Sequence, residues 1–160
     1  MAKQYGAYVG TPRNSAPPKL VPHGFENGSD HIIVRDTVEL AAAAADMVQL
    51  AVLGWECVLD PDGCKVWFDD LGTGGTISIG DVTYPAALAA TVNTDSAAGN
   101  TNMLAAIDIA NYFKPLWQML GYATLAAAKL VGGRCELLLT RNATSGAGTV
   151  TWQIKGQRRI

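Results

Sequence analysis

The sequence predicts a mainly β protein: an antiparallel β-sandwich or jelly-roll-like barrel, with one or two short helices and an extended N-terminal arm. Three observations predict it. Short runs alternate apolar and polar residues, as in Thr76-Ile77-Ser78-Ile79 and Val150-Thr151-Trp152-Gln153-Ile154, which is the period of a half-buried strand. Compact turn sequences such as Asp60-Pro61-Asp62-Gly63 separate these runs. Finally, Gly6, Gly10, Pro12, Pro17, Pro18, Pro22, Gly24 and Gly28 punctuate the start of the chain, with no sustained period of 2 or 3.6.

In chain order, residues 1–30 form the arm and residues 31–160 the β-rich domain. The arm carries Tyr5, Tyr8, Val9, Leu20, Val21 and Phe25, more apolar surface than a solvated linker needs. A flexible tail and an arm that orders on a neighbouring subunit are both open, and in the second case these six residues are the subunit contacts. His31 to Leu40 and Met47 to Leu53 read as two strands joined by an alanine-filled turn or a single helical turn at Ala41 to Ala45. Asp60-Pro61-Asp62-Gly63 fits a type I turn; a calcium loop needs further oxygen ligands, and Cys64 and Val66 do not supply them.

Cys64 to Phe68 and Thr76 to Gly80 read as a β-hairpin around Asp69-Asp70-Leu71-Gly72-Thr73-Gly74-Gly75. Thr101 or Asn102 caps a predicted helix whose face is Met103, Leu104, Ile107, Ala110 and Phe113. Pro115 ends it and starts a second short helix to Leu120, with Gly121 as its stop and Trp117 and Leu120 as core plugs. Cys135 to Thr140 and Thr149 to Lys155 read as a closing hairpin.

Composition narrows the function. Of the 160 residues only 16% are charged, while 49% are hydrophobic and the mean hydropathy is +0.13. That is a thin polar coat for a free monomer, so burial against other subunits is expected, with an apolar monomer as the alternative. No run approaches the roughly 18 apolar residues of a membrane helix. The net charge of −2 lacks the basic footprint of nucleic-acid binding; Lys155, Arg158 and Arg159 make the one basic cluster. The start shows no charged segment followed by an apolar one, so synthesis and assembly in a cytoplasm are expected.

Chemistry is sparse. Asp69 and Asp70 are neighbours on a strand and point to opposite faces, so they do not converge on one substrate atom. Gly72 to Gly75 lacks the Lys-Ser/Thr pair and the following helix of a phosphate loop. His23 and His31 lie far in sequence from Cys57, Cys64 and Cys135, and no metal spacing occurs, so neither a metal nor a cofactor is expected. Three cysteines cannot all pair within one chain. They are either buried reduced thiols or the source of an intersubunit disulfide formed outside the cell.

The segments TVELAAAAADMVQLAVL, VWFDDLGTGGTISIGD and YFKPLWQMLGY, followed by a Gly/Ala/Thr-rich end, resemble small virion structural proteins of tailed bacteriophages. The resemblance runs from about Asp36 to Lys155, and its specific parts are the DDLGTGGT turn and the KPLWQMLG segment. It implies a β domain present in many copies on the particle, as a capsid decoration or cement protein bound to the major capsid protein, self-associating as a trimer. The cysteines and the Asp60-Pro61-Asp62-Gly63 insert depart from it. A tail, collar or fibre-base component is the alternative within the virion. A small jelly-roll hydrolase or carbohydrate-binding protein is the alternative of another class.

Overall fold

The structure is a computed structural model that describes residues 3–5, 31–41, 47–95, 97–141 and 146–158. These residues hold the strands β1 (Lys3–Tyr5), β2 (His31–Leu40), β3 (Met47–Leu53), β4 (Val58–Leu59), β5 (Lys65–Phe68), β6 (Thr76–Gly80), β7 (Ala89–Asn93), β8 (Gly99–Asn102), β9 (Cys135–Arg141) and β10 (Gly148–Gln157). A 3-10 turn at Ile109–Asn111 and two short helices, α1 (Leu116–Met119) and α2 (Leu125–Val131), lie between β8 and β9. One sheet has the order β1-β3-β9-β6-β7, the other β2-β10-β5-β8 with β4 added beside β10. Pairing is antiparallel except where β1 runs parallel to β3. The mainly β expectation holds, and the architecture is sandwich-like.

Both sheets turn one face inward. Along β10 the buried residues are Val150, Trp152 and Ile154, and along β5 they are Val66 and Phe68. From the other sheet Val48, Leu50, Ile77, Ile79, Leu137 and Leu139 join the same core. A hydrogen bond inside the core helps tie the layers together. A register shift in the β3–β9 ladder leaves Leu50 without a cross-strand partner, and the Trp152 indole N–H donates to its carbonyl at 2.9 Å.

The strands follow the sequence pattern, but two expected hairpins do not form. β5 pairs with β10 and β8, whereas β6 pairs with β9 and β7, so Asp69 to Gly75 carries the chain from one sheet to the other. Leu71, fully buried, anchors this crossing, and Gly72 (φ 88°) and Gly74 (φ 76°) supply its left-handed backbone. Likewise β9 and β10 belong to opposite sheets. Instead β10 pairs with β2 over ten residues, from Gly148 opposite Leu40 to Gln157 opposite His31. Strands β2 and β3 also lie in different sheets, and residues 42–46 between them are outside the described residues. Alternation records which face of a strand is buried, and a sandwich buries one face of both sheets, so the pattern does not select the partner.

The segment after β8 departs from its helical expectation. Gly99–Asn102 is a strand, and the Asn102 carboxamide accepts from the Leu104 N–H, a capping bond that starts a series of turns. The Met103 N–H goes to the Cys64 carbonyl, and the Ala106 N–H, which a helix would use internally, goes to that of Leu88. Met103 and Leu104 reach the core, while Phe113 is exposed. Pro115 does start α1, and Gly121 (φ 97°) stops it. The first free N–H groups of α1 bind the carbonyls of Cys57 and Trp55. Leu120 is buried as expected, and Trp117 packs at the edge of the core. Helix α2, not anticipated, opens at Thr124, whose side chain accepts from the Ala127 N–H.

Candidate assembly surface

Each carboxylate singled out by the sequence has a structural partner. Asp60 builds the expected turn, its carbonyl accepting from the Gly63 N–H and its carboxylate from the Asp62 N–H, both at 3.1 Å. Asp69 accepts from the Thr149 N–H at 2.9 Å and Asp70 from the Gly72 N–H at 2.8 Å, so the two acids serve different turns. Among the described residues no three His, Cys, Asp or Glu side chains gather to hold a metal.

A polar constellation surrounds Asp81, 2% exposed at the end of β6. Its carboxylate accepts from the backbone N–H groups of Thr83 and Tyr84 and from the Tyr122 hydroxyl, the last at 2.5 Å. The turn folds so closely over β6 that a Cβ on Gly80 would stand 1.9 Å from the Tyr84 carbonyl oxygen. Tyr122 makes edge contacts with Tyr84 (5.0 Å between centroids) and Trp55 (5.4 Å). Burial, reinforced by donation to Asp81, pushes the Tyr122 phenol up to about 12. The Trp55 indole in turn donates to the Gly132 carbonyl at 2.8 Å, tying the cluster to the end of α2.

Beside this cluster a cleft of about 370 Å³ opens between Val52, Trp55, Asp81, Val82, Val131 and Arg134. Two of its apolar walls stand exposed beside the charged Asp81, Arg134 and Glu136. Val82 is 65% exposed, Val131 43% and Leu130, the residue before it, 89%. Ile109 and Phe113 protrude from the loop before α1, and Phe113 holds φ at 64°, a left-handed conformation that a bulky residue rarely adopts. These side chains are exposed apolar residues of the kind composition implied without locating, Val82 and Val131 at the cleft and Ile109 and Phe113 in the loop before α1. Sequence reasoning placed Phe113 on a core face because it stood at helical spacing from Ala110. It passed over Leu130 and Val131, although Thr124, the alanines, Lys129 and Gly132 are a complete set of helix signals.

Of the expected subunit contacts, Tyr5 lies in β1, opposite Gln49 of β3. Tyr8, Val9, Leu20, Val21 and Phe25 fall outside the described residues. Cys57, Cys64 and Cys135 are all buried and unbridged. Burial raises all three thiols, Cys64 to about 11, which disfavours the reactive thiolate. An intersubunit bond from any of them requires its sulfur to leave the core.

No protein-family model matches the sequence, and no curated protein matches it significantly. Among solved structures, the chain is similar to a chain of the cyanophage Pam1 capsid asymmetric unit. The identity is 17%, the TM-score 0.50, and the match covers 91% of this chain and 97% of that one. A chain in the capsid of Ralstonia phage GP4 is similar at 17% identity and TM-score 0.50, covering 99% of both chains. At this identity the likeness is one of fold.

Proposed function

We propose that this protein is a non-enzymatic structural component of a bacteriophage virion, a capsid decoration or cement protein that self-associates and stabilises the lattice of the major capsid protein. The observation that carries the reading is the likeness to chains of two phage capsids over nearly the whole of both partners. The apolar residues standing in solvent, Leu130, Ile109, Val82 and Phe113, suit a surface completed by neighbours in a particle. The carboxylates, committed to turns and to Tyr122, favour a scaffold over a catalyst. The virion capsid surface, after assembly in the host cytoplasm, is the location this implies. A trimer remains the self-association state proposed for the particle, with the arm residues reaching across to neighbours. An intersubunit disulfide belongs to this reading only where the particle opens the fold around a cysteine.

The test uses particles stripped of this protein. Leu130→Glu and Phe113→Asp, both at exposed positions, are expected to lower rebinding at least tenfold while leaving the melting temperature of the free protein unchanged. Rebinding at wild-type strength by both variants removes this surface from the account. Quantitative mass spectrometry of particles then distinguishes the tail, collar or fibre-base alternative. A copy number approaching that of the capsid protein supports decoration, and a few copies per particle overturns it.

A further inference from the structure

The outer face of the sheet β2-β10-β5-β8 presents its polar side chains in rows. Register places Arg35, Gln153, Lys65 and Asn102 side by side in one row and Thr37, Thr151, Trp67 and Asn100 in the next. A third row is Glu39, Thr149 and Asp69, whose N–H donates to the Thr149 carbonyl and whose carboxylate accepts from the Thr149 N–H. Charge is therefore sorted along the strands, with cations in the first row and anions in the third. Between them stands Trp67, a large ring 39% exposed in a row otherwise made of Thr37, Thr151 and Asn100, while the exposed Ile33 lies beyond the cation row. Two of these charged side chains are held in place: Arg35 Nε donates to Gln153 Oε1 at 2.6 Å, and Glu39 Oε2 accepts from the Thr149 hydroxyl at 2.7 Å.

We infer that this face pairs with the same face of a second copy about a twofold axis running along the Trp67 row. Rotation about that axis keeps each strand's position across the sheet and reverses its direction along the strand. Arg35 then meets Glu39 of the second copy, and Lys65 meets its Asp69; each contact occurs twice, as an isologous interface demands. Trp67 meets its own equivalent at the centre, where water is excluded and an aromatic pair contributes most. An axis along the strands would instead set cation row over cation row. Charge sorting thus selects one of the two ways of stacking the face on itself. The inference stands independently of the virion reading, because it concerns the isolated chain.

The experiment is sedimentation of the purified full-length protein at about 100 µM, where micromolar self-association is nearly saturated. Wild type is expected to contain an even number of chains. Arg35→Glu leaves Glu at both positions 35 and 39, and Glu39→Arg leaves Arg at both, so each variant repels itself. Both are expected to weaken the pairing at least 100-fold, which lowers the mean mass at this concentration and brings it to half on dilution to about 10 µM, where the wild type stays mostly paired. An equimolar mixture of the two variants restores every opposed pair and is expected to recover the wild-type mass. Misfolding cannot produce that recovery. A monomeric or odd-numbered wild type, single variants of wild-type mass, or a mixture that stays dissociated each overturns the inference, as does unchanged association after Trp67→Ser.

Discussion

Replacing Trp152 by Phe tests the one hydrogen bond described above that joins the two layers of the core. Trp152 and Leu50 are each 1% exposed, and the indole N–H lies 2.9 Å from the Leu50 carbonyl. Phe fills most of the same space without the donor. The Leu50 carbonyl, displaced from the β3–β9 ladder by the register shift, is then buried without its indole partner, which costs about 1–3 kcal/mol. The smaller ring leaves roughly 40 Å³ unfilled, worth about 1 kcal/mol at about 24 cal/mol per Å³. The sum is a destabilisation of about 2–4 kcal/mol. For a chain of this length that lowers the melting temperature by about 4–16 °C, at about 2–4 °C per kcal/mol. Urea unfolding followed by circular dichroism measures the free energy directly, with an unchanged dependence on denaturant showing that the compared states are the same. A loss below about 0.5 kcal/mol, the range of an ordinary surface substitution, refutes the claim that this bond links the layers.

Two further outcomes follow from the buried titratable groups. Because the native Tyr122 phenol holds its proton up to about 12 against an ordinary value of 10.0, its contribution to stability is complete below pH 10 and is lost as pH rises through 12. Tyr122→Phe is expected to flatten that part of the stability curve, while the raised thiols still cause a loss beginning near their ordinary value of 9.0; equal slopes in both proteins between pH 10 and 12 contradict the assignment. Alkylation of Cys57, Cys64 and Cys135 is expected to be at least about 100-fold slower in the native protein than in urea, and mass spectrometry showing one rapid label per native chain overturns the burial argument.

Local structure was legible in the residues themselves. Apolar runs and alternation marked β2, β3, β6, β9 and β10; Asp60, Pro61 and Gly63 marked their turn; Pro115 and Gly121 bounded α1. Each of these signals acts through neighbouring bonds, by setting φ, removing a donor or alternating the side chains across a strand. The run from Val66 to Asp81 shows where that information ends. Two strands and a glycine-rich connection were readable, yet the connection spans two sheets because Leu71 is buried between them and β10 and β9 claim the flanking strands. The same holds for Phe113, whose helical spacing is overridden once the carbonyls of Cys64 and Leu88 take nearby N–H groups. The candidate surface was less legible still. Composition announced an apolar excess without showing that Leu130, Val82 and Phe113 carry part of it in the open, and Arg35, Lys65, Glu39 and Asp69 became sorted rows only through strand order and register. The sequence by itself determined β2, β3, β5, β6, β9 and β10, the Asp60 turn and the face these strands bury, since those follow from local sterics and solvent. The tertiary structure alone decided partners, crossings and exposed rows, since they depend on contacts between residues up to 126 positions apart, as between His31 and Gln157.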